Sequence, residues 1–314
     1  MKAIKTVSLI GLGAIGSYFA CNLQTVLGDN LRIVAGGERG QRIRKNGIIA
    51  NGTQYYFNVV DPATPADPAD LVIIITKMTG LRQALEDIRN HVGPDSILMA
   101  PLNGVEKEEI VASVYGWDRL LYSLTRVSVL MVGNTVSFDP KQARIEFGEK
   151  TNESVSPRVQ AVADLFAKAG VKPKIQPDMI RAIWHKYMCN LAENQVSALL
   201  HVPFGAWNGQ SVHATALREM VMREVARVAA KKGIILTEEE IRIQGEKLKA
   251  MPYNNKSSTL RDLEEKRKTE IDMFGGTLCR IAKEVGEEAP VNEFLYHAIK
   301  VLEEKNEGLI KERI

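Results

Sequence analysis

Gly11-Leu12-Gly13-Ala14-Ile15-Gly16 decides the reading of this 314-residue chain, because of what stands on either side of it. Before it, Thr6-Val7-Ser8-Leu9-Ile10 is a short apolar run of the kind a buried central strand shows. After it, Ile15, Phe19, Leu23 and Val26 recur at three- and four-residue steps, which predicts a helix with one buried stripe. Strand, glycine turn and helix form the setting in which GxGxxG carries meaning; alone, such glycines can be purely structural. Each then has a physical job. Gly11 permits the tight turn, Gly13 lets a pyrophosphate approach the backbone, and Gly16 lets helix and strand pack closely. Unpaired N–H groups at the helix start, with the helix dipole behind them, supply an anion site. The motif predicts a Rossmann-type dinucleotide-binding fold.

Length and composition agree with that reading. A chain of this size predicts two domains of roughly 150 residues each. Hydrophobic residues make up 45% and charged residues 25%, as in an ordinary globular protein, and the net charge of +3 is too small for a general nucleic-acid or membrane surface. Cys21, Cys189 and Cys279 are far apart, which argues against a disulfide framework or a zinc site and for a reducing compartment. Lys2 and Lys5 before an apolar run resemble a secretory signal, but three glycines at dinucleotide-motif spacing break the run. The expected location is the cytoplasm.

Going outward through the first half, Leu31-Arg32-Ile33-Val34-Ala35 reads as the second strand. An acidic residue at the end of this strand takes the ribose hydroxyls in NAD-preferring folds. Here the strand ends in Ala35-Gly36-Gly37, followed by Glu38, Arg39, Arg42, Arg44 and Lys45. That basic cluster suits a 2′-phosphate and predicts NADPH; Glu38 offers the NAD alternative. Asn51-Gly52 signals a hairpin whose second piece is Tyr55-Tyr56-Phe57. Leu71 to Ile75 is the most strand-like run, and Ser96 to Met99 is the next strand. Lys77 and Asn103 lie just past the carboxyl ends of these two runs, where a doubly wound sheet holds its ligand. Short β-prone segments follow at 120–132 and 144–147, then a helix at 157–169 and a strand at 171–175.

After Pro177 the alternation stops, and 178–314 reads as an all-helical domain behind a dinucleotide-binding domain at 1–177. Helices are expected at 179–200, 211–232, 237–249, 260–266, 270–285 and 292–306. On the first of these, Lys186, Asn190 and Asn194 fall at i, i+4 and i+8, so one face carries an ammonium and two carboxamides. Asparagine is a poor helix former, so this alignment suggests a polar wall facing a site rather than solvent. A second polar stretch runs from Asn255 to Asp262 and on to Asp272. Within it, Ser257 or Ser258 can cap the helix that follows, and Thr269 with Asp272 reads as a capping pair.

Taken together, these motifs resemble the ketopantoate reductase family, whose members reduce 2-dehydropantoate to pantoate with NADPH in pantothenate biosynthesis. The resemblance spans nearly the whole chain: the N-terminal GxGxxG, Lys77, Asn103-Gly104, Trp184-x-Lys186-x-x-x-Asn190, and Ser257-Ser258-x-Leu260-x-Asp262 followed by Thr269-Glu270-Ile271-Asp272. It implies Lys186 as general acid, Glu270 on the substrate hydroxyl, and Ser258 on its carboxylate. It also implies Asn190, Asn194 and Asn103 around the substrate. The dinucleotide would then touch Gly11 through Gly16, Arg39, Lys77, Asn103 and Glu270. A small 2-oxoacid is the implied partner, without nucleic acid, membrane or metal, and a homodimer is compatible with it. The chemistry is coherent: hydride delivery leaves charge on the ketone oxygen, and a lysine with an ordinary pKa near ~10.4 arrives protonated to neutralise it.

Two departures open an alternative. Pro203-Phe204-Gly205 puts a ring where the family usually has asparagine, and Gly36 stands where an arginine is common. Members of the family that act as NAD-dependent D-2-hydroxyacid dehydrogenases on branched or aromatic 2-oxoacids are the runner-up. A non-catalytic dinucleotide-sensing regulator is the alternative of another class.

Overall fold

The computed structural model describes residues 3–141 and 143–310. The chain divides into two compact units, Met1–Ile180 and Arg181–Ile314. In the first, β1 (Val7–Ile10), α1 (Ala14–Leu27), β2 (Leu31–Val34) and α2 (Gly37–Asn46) lead into the hairpin β3 (Ile48–Ala50) and β4 (Thr53–Tyr55). Then come β5 (Asn58–Val60), β6 (Leu71–Ile74), α3 (Leu81–Asp87), β7 (Ile97–Met99), α4 (Lys107–Tyr115) and β8 (Leu120–Arg126). The unit ends with β9 (Val129–Val132), β10 (Thr135–Phe138), β11 (Arg144–Gly148), α5 (Pro157–Lys168) and β12 (Lys172–Ile175).

The main sheet has the order β12-β11-β8-β7-β6-β1-β2-β5. From β5 to β8 the six strands are parallel, in the order of a doubly wound dinucleotide fold. β1 pairs with β2 on one side and β6 on the other, so the strand order reverses beside it. All four residues of β1 and of β6 are buried, which is why those apolar runs do not alternate.

A second sheet, β4-β3-β10-β9, is absent from the sequence reading. Its hairpin turns at Asn51 and Gly52, both with positive φ, as a tight two-residue turn requires. The second strand of the hairpin is Thr53–Tyr55, two residues earlier than expected, and β5 crosses to the edge of the main sheet. This small sheet changes α1. Gly16 to Cys21 are consecutively buried, so α1 lacks the single buried stripe that its spacing suggested. Phe19 packs at 5.8 Å from Phe166 of α5, while Tyr18 meets Phe138 of β10 edge-on at 4.9 Å.

Under β1, the Ser8 hydroxyl lies 2.9 Å from Nδ1 of the fully buried His91. Burial, and then the charge of Arg32, push this imidazole down to about 4. Below its ordinary pKa of about 6.5, the unfolded chain takes a proton that the folded chain refuses. Stability should therefore fall between about pH 6.5 and 4, by up to about 3 kcal/mol. Urea unfolding at pH 7 and pH 4.5 checks this: His91→Asn should lose less stability between the two than wild type. Equal losses would contradict it.

The second unit is helical, as its residue spacing predicts. α6 (Met179–Leu200) begins just before its boundary and is followed by α7 (Val212–Lys231), α8 (Glu238–Lys249), α9 (Ser258–Glu264), α10 (Thr277–Val285) and α11 (Pro290–Asn306). α6 is its central element, with Ile183, Trp184, Tyr187, Met188, Leu191, Ala192 and Gln195 all buried. Such all-round burial leaves no broad solvated face. No helix among the described residues is long and apolar enough to cross a membrane.

Candidate active site

The glycine loop separates its three glycines by physics. Gly11 has φ +99°, and a Cβ there would sit 2.0 Å from the Ile75 carbonyl oxygen. Gly16 is closed in the same way, with Gly11 O at 2.0 Å. At Gly13 a Cβ would meet nothing within 4 Å. Two glycines thus let the turn nest between β1 and β6, and the third leaves room above the N-terminus of α1. Gly13 is the N-cap of α1 and offers no side chain to its first N–H groups. That open cradle fits a dinucleotide pyrophosphate. Gly13→Ala should fold with a melting point within about 3 °C of wild type, yet bind the dinucleotide at least about tenfold more weakly. Gly11→Ala should lose the fold itself, since both its φ and its space are forbidden. Thermal melts with nucleotide titration check the pair, and unaltered binding by Gly13→Ala would contradict the role given to the loop.

Lys77 is exposed and precedes a short turn after β6. Asn103 is half-buried in the turn after β7, beside Gly104 with φ +96°. This turn stands on a buried ion pair that the sequence reading passed over. The Lys107 ammonium lies 2.7 and 2.9 Å from the two Glu108 carboxylate oxygens and donates at 3.4 Å to the Gly104 carbonyl. Removing one partner would leave the other charge buried alone. Arg39 is exposed in the first turn of α2, whereas Arg44 turns back to donate to the Val59 carbonyl at 3.1 and 3.3 Å.

In the helical unit, Lys186 and Asn190 are half-buried on α6. Asn194, expected as pocket lining, is buried, and its amide works inside the unit. Its Nδ2 donates to the Asn190 carbonyl at 2.9 Å. Its Oδ1 accepts from Ser258 Oγ at 2.9 Å and from Thr259 N and Oγ1, each at 3.3 Å. Asn194 therefore ties the start of α9 to α6. Ser257, not Ser258, caps α9 by accepting from Leu260 N at 3.2 Å, and Ser258 stays exposed. Because Asn194 Oδ1 keeps two other donors, the Ser258 proton is able to turn to a ligand without leaving a buried oxygen unpaired.

Glu270 is half-buried between two fixed neighbours. Ile271 is fully buried, and Thr269 donates through both its N–H and its hydroxyl, at 2.7 Å each, to Glu303 of α11. The expected capping pair does not form: Asp272 accepts from the Tyr296 hydroxyl at 3.0 Å and pairs with Lys300 at 3.2 Å. Nor does one helix run from 270 to 285. Residues Asp272–Gly276 make a π-helical turn before α10. There the Tyr187 hydroxyl of α6 donates to the Phe274 carbonyl at 2.5 Å. Phe204 N donates to the Asn255 carbonyl at 2.7 Å, and its half-buried ring lies 6.0 Å from that of Trp207.

The doubly wound sheet with its open glycine cradle has the form of a dinucleotide-binding unit, and the helical unit carries Lys186, Ser258 and Glu270. The model of ketopantoate reductase PanE/ApbA matches residues 7–152, and that of its C-terminal part matches 178–303. The chain belongs to the ketopantoate reductase family and is an NAD(P)-dependent oxidoreductase. It is 27% identical over 309 residues to the 2-dehydropantoate 2-reductase of Pyrococcus horikoshii, covering 96% of this chain and 99% of that one. Among solved structures it resembles D-mandelate dehydrogenase with NADH and anilino(oxo)acetate, with a TM-score of 0.87, 22% identity, and 96% and 99% of the two chains covered. The PanE/ApbA family ketopantoate reductase of Ralstonia eutropha JMP134 gives a TM-score of 0.82 at 23% identity over the same shares.

Proposed function

We propose that this protein reduces the ketone of 2-dehydropantoate to give pantoate, a step of pantothenate biosynthesis. The observation that carries the proposal is the Asn194 clamp, which fastens Ser258 to the helix bearing Lys186 and Asn190. Gly11 through Gly16 would hold the dinucleotide, with Lys77 and Asn103 nearer its nicotinamide and Glu270 a further contact, and the bound dinucleotide would supply the hydride. Lys186 gives its proton to the ketone oxygen as charge develops there, so hydride and proton together complete the alcohol. Ser258 donates to the substrate carboxylate. Glu270, its backbone fixed by Thr269 and Ile271, accepts from the terminal hydroxyl, and Asn190 completes the polar wall. Asn194 acts through Ser258 rather than on the substrate.

Phe204 supports a second reading. Its ring lies tilted beside Trp207 in a segment bonded to Asn255, two residues ahead of the Ser257 cap. An apolar wall there would favour branched or aromatic 2-oxoacids, as in a D-2-hydroxyacid dehydrogenase. We extend the proposal to a homodimer, supported by the exposed Phe294 and Val301, seven residues apart on α11. Dinucleotide oxidation with a panel of 2-oxoacids tests the enzyme reading: a regulator would bind the dinucleotide and turn nothing over.

A further inference from the structure

The end of β2 is held against the end of β5, where the Ala35 N–H donates to the Val60 carbonyl at 3.0 Å. The chain then turns at Asp61. One carboxylate oxygen, Oδ1, accepts from Ala63 N at 3.0 Å, and the Asp61 carbonyl accepts from Thr64 N at 2.9 Å. Asn90 Nδ2 steadies the same turn through the Pro62 carbonyl at 3.0 Å. The other oxygen, Oδ2, lies 3.0 Å from where a Cβ on Gly36 would stand, and Pro62 Cδ lies at 3.1 Å. A carboxylate therefore sits beside the position at the end of the second strand, next to which doubly wound folds place the adenosine ribose. It comes from the turn just after the neighbouring strand, β5, so a search along β2 alone misses it.

We propose that Asp61 reads the adenosine ribose, so that this chain binds NADH in preference to NADPH. The proposal rests on the dinucleotide reading of the glycine loop and is independent of the identity of the 2-oxoacid. A carboxylate there accepts from the 2′-hydroxyl, whereas a 2′-phosphate would bring like charge against it. Gly36 contributes no cation to offset that repulsion, and a longer side chain at 36 would begin in contact with Asp61 and Pro62. Of the basic residues of α2, Arg44 is turned onto Val59, and Arg39 is exposed on the first turn. The expectation of NADPH from that basic cluster is the rival outcome.

Isothermal titration calorimetry of the full chain with NADH and with NADPH, without substrate, tests the proposal. Wild type should bind NADH at least about tenfold more tightly than NADPH. Asp61→Asn keeps the shape and the acceptor for Ala63 N, and should shrink that ratio about tenfold or more, chiefly by tightening NADPH. Asp61→Ser repeats the test should the asparagine variant fold poorly. Tighter NADPH binding by wild type, abolished in Arg39→Ala, would overturn the proposal. So would an unchanged ratio in an Asp61 variant that melts like wild type. Absence of turnover while a dinucleotide binds would count against the 2-oxoacid reading alone.

Discussion

Lys186→Ala should lower kcat by about 10² to 10⁴, the range a positioned general acid supplies. The loss has two parts. Alanine offers no proton to the oxygen that hydride transfer leaves negative, and it removes the cation that stabilises that charge in the transition state. Both act mainly after substrate is bound, so kcat should fall with kcat/KM rather than KM rising alone. Dinucleotide affinity should stay within about threefold, because the glycine loop belongs to the other unit. The side chain is half-buried while its neighbours Trp184 and Tyr187 are buried, so truncation leaves the core of α6 in place. Steady-state kinetics beside a nucleotide fluorescence titration separates these effects. Near-normal kcat would assign the proton to another group.

Much of the fold was readable because it rests on local patterns. β1 and β6 are short, largely apolar runs, and α6 spans Met179 to Leu200, the bounds expected from the sequence. What escaped depends on partners distant in sequence. β3 and β10 pair through Ile49 and Thr135, and neither three- or four-residue strand announces a sheet on its own. Once that sheet covers α1, burial follows tertiary contact rather than helical stripe. The π-helical turn escaped for a similar reason. A Cβ on Gly275 would sit 2.6 Å from Gln195 Oε1 and 2.9 Å from Tyr296 Cβ, a constraint set by α6 and α11.

On α6 and α9, sequence spacing named the polar residues but not the partner each one holds. The i, i+4, i+8 face of Lys186, Asn190 and Asn194 is present, yet Asn194 is spent on Ser258 and Thr259. Only the fold shows which of the adjacent serines caps α9. The Lys107–Glu108 pair beneath the Asn103 turn and the Asp61 carboxylate beside Gly36 were unreadable, since each gains meaning from a neighbour brought close by folding. A lysine beside glutamates at the start of a helix ordinarily reads as a solvated face, and here Lys107 is fully buried.

2-Dehydropantoate carries a carboxylate, a ketone and a terminal hydroxyl, and 2-oxoisovalerate retains the first two with a branched apolar end. A site built to hydrogen-bond a hydroxyl rejects the analogue lacking it, because the polar groups of the site are then left unpaired. With Glu270 and Asn190 in that role, the analogue should lose on the order of 10²-fold or more in kcat/KM. If the Phe204 ring lines the pocket instead, the apolar substrate keeps its contacts and the polar one pays for desolvation, so the order inverts. The direct measurement is kcat/KM for 2-dehydropantoate and 2-oxoisovalerate on one enzyme preparation with a saturating dinucleotide. A preference of about 10² or more for 2-dehydropantoate is predicted; a preference for 2-oxoisovalerate would contradict the proposal and make the protein a D-2-hydroxyacid dehydrogenase.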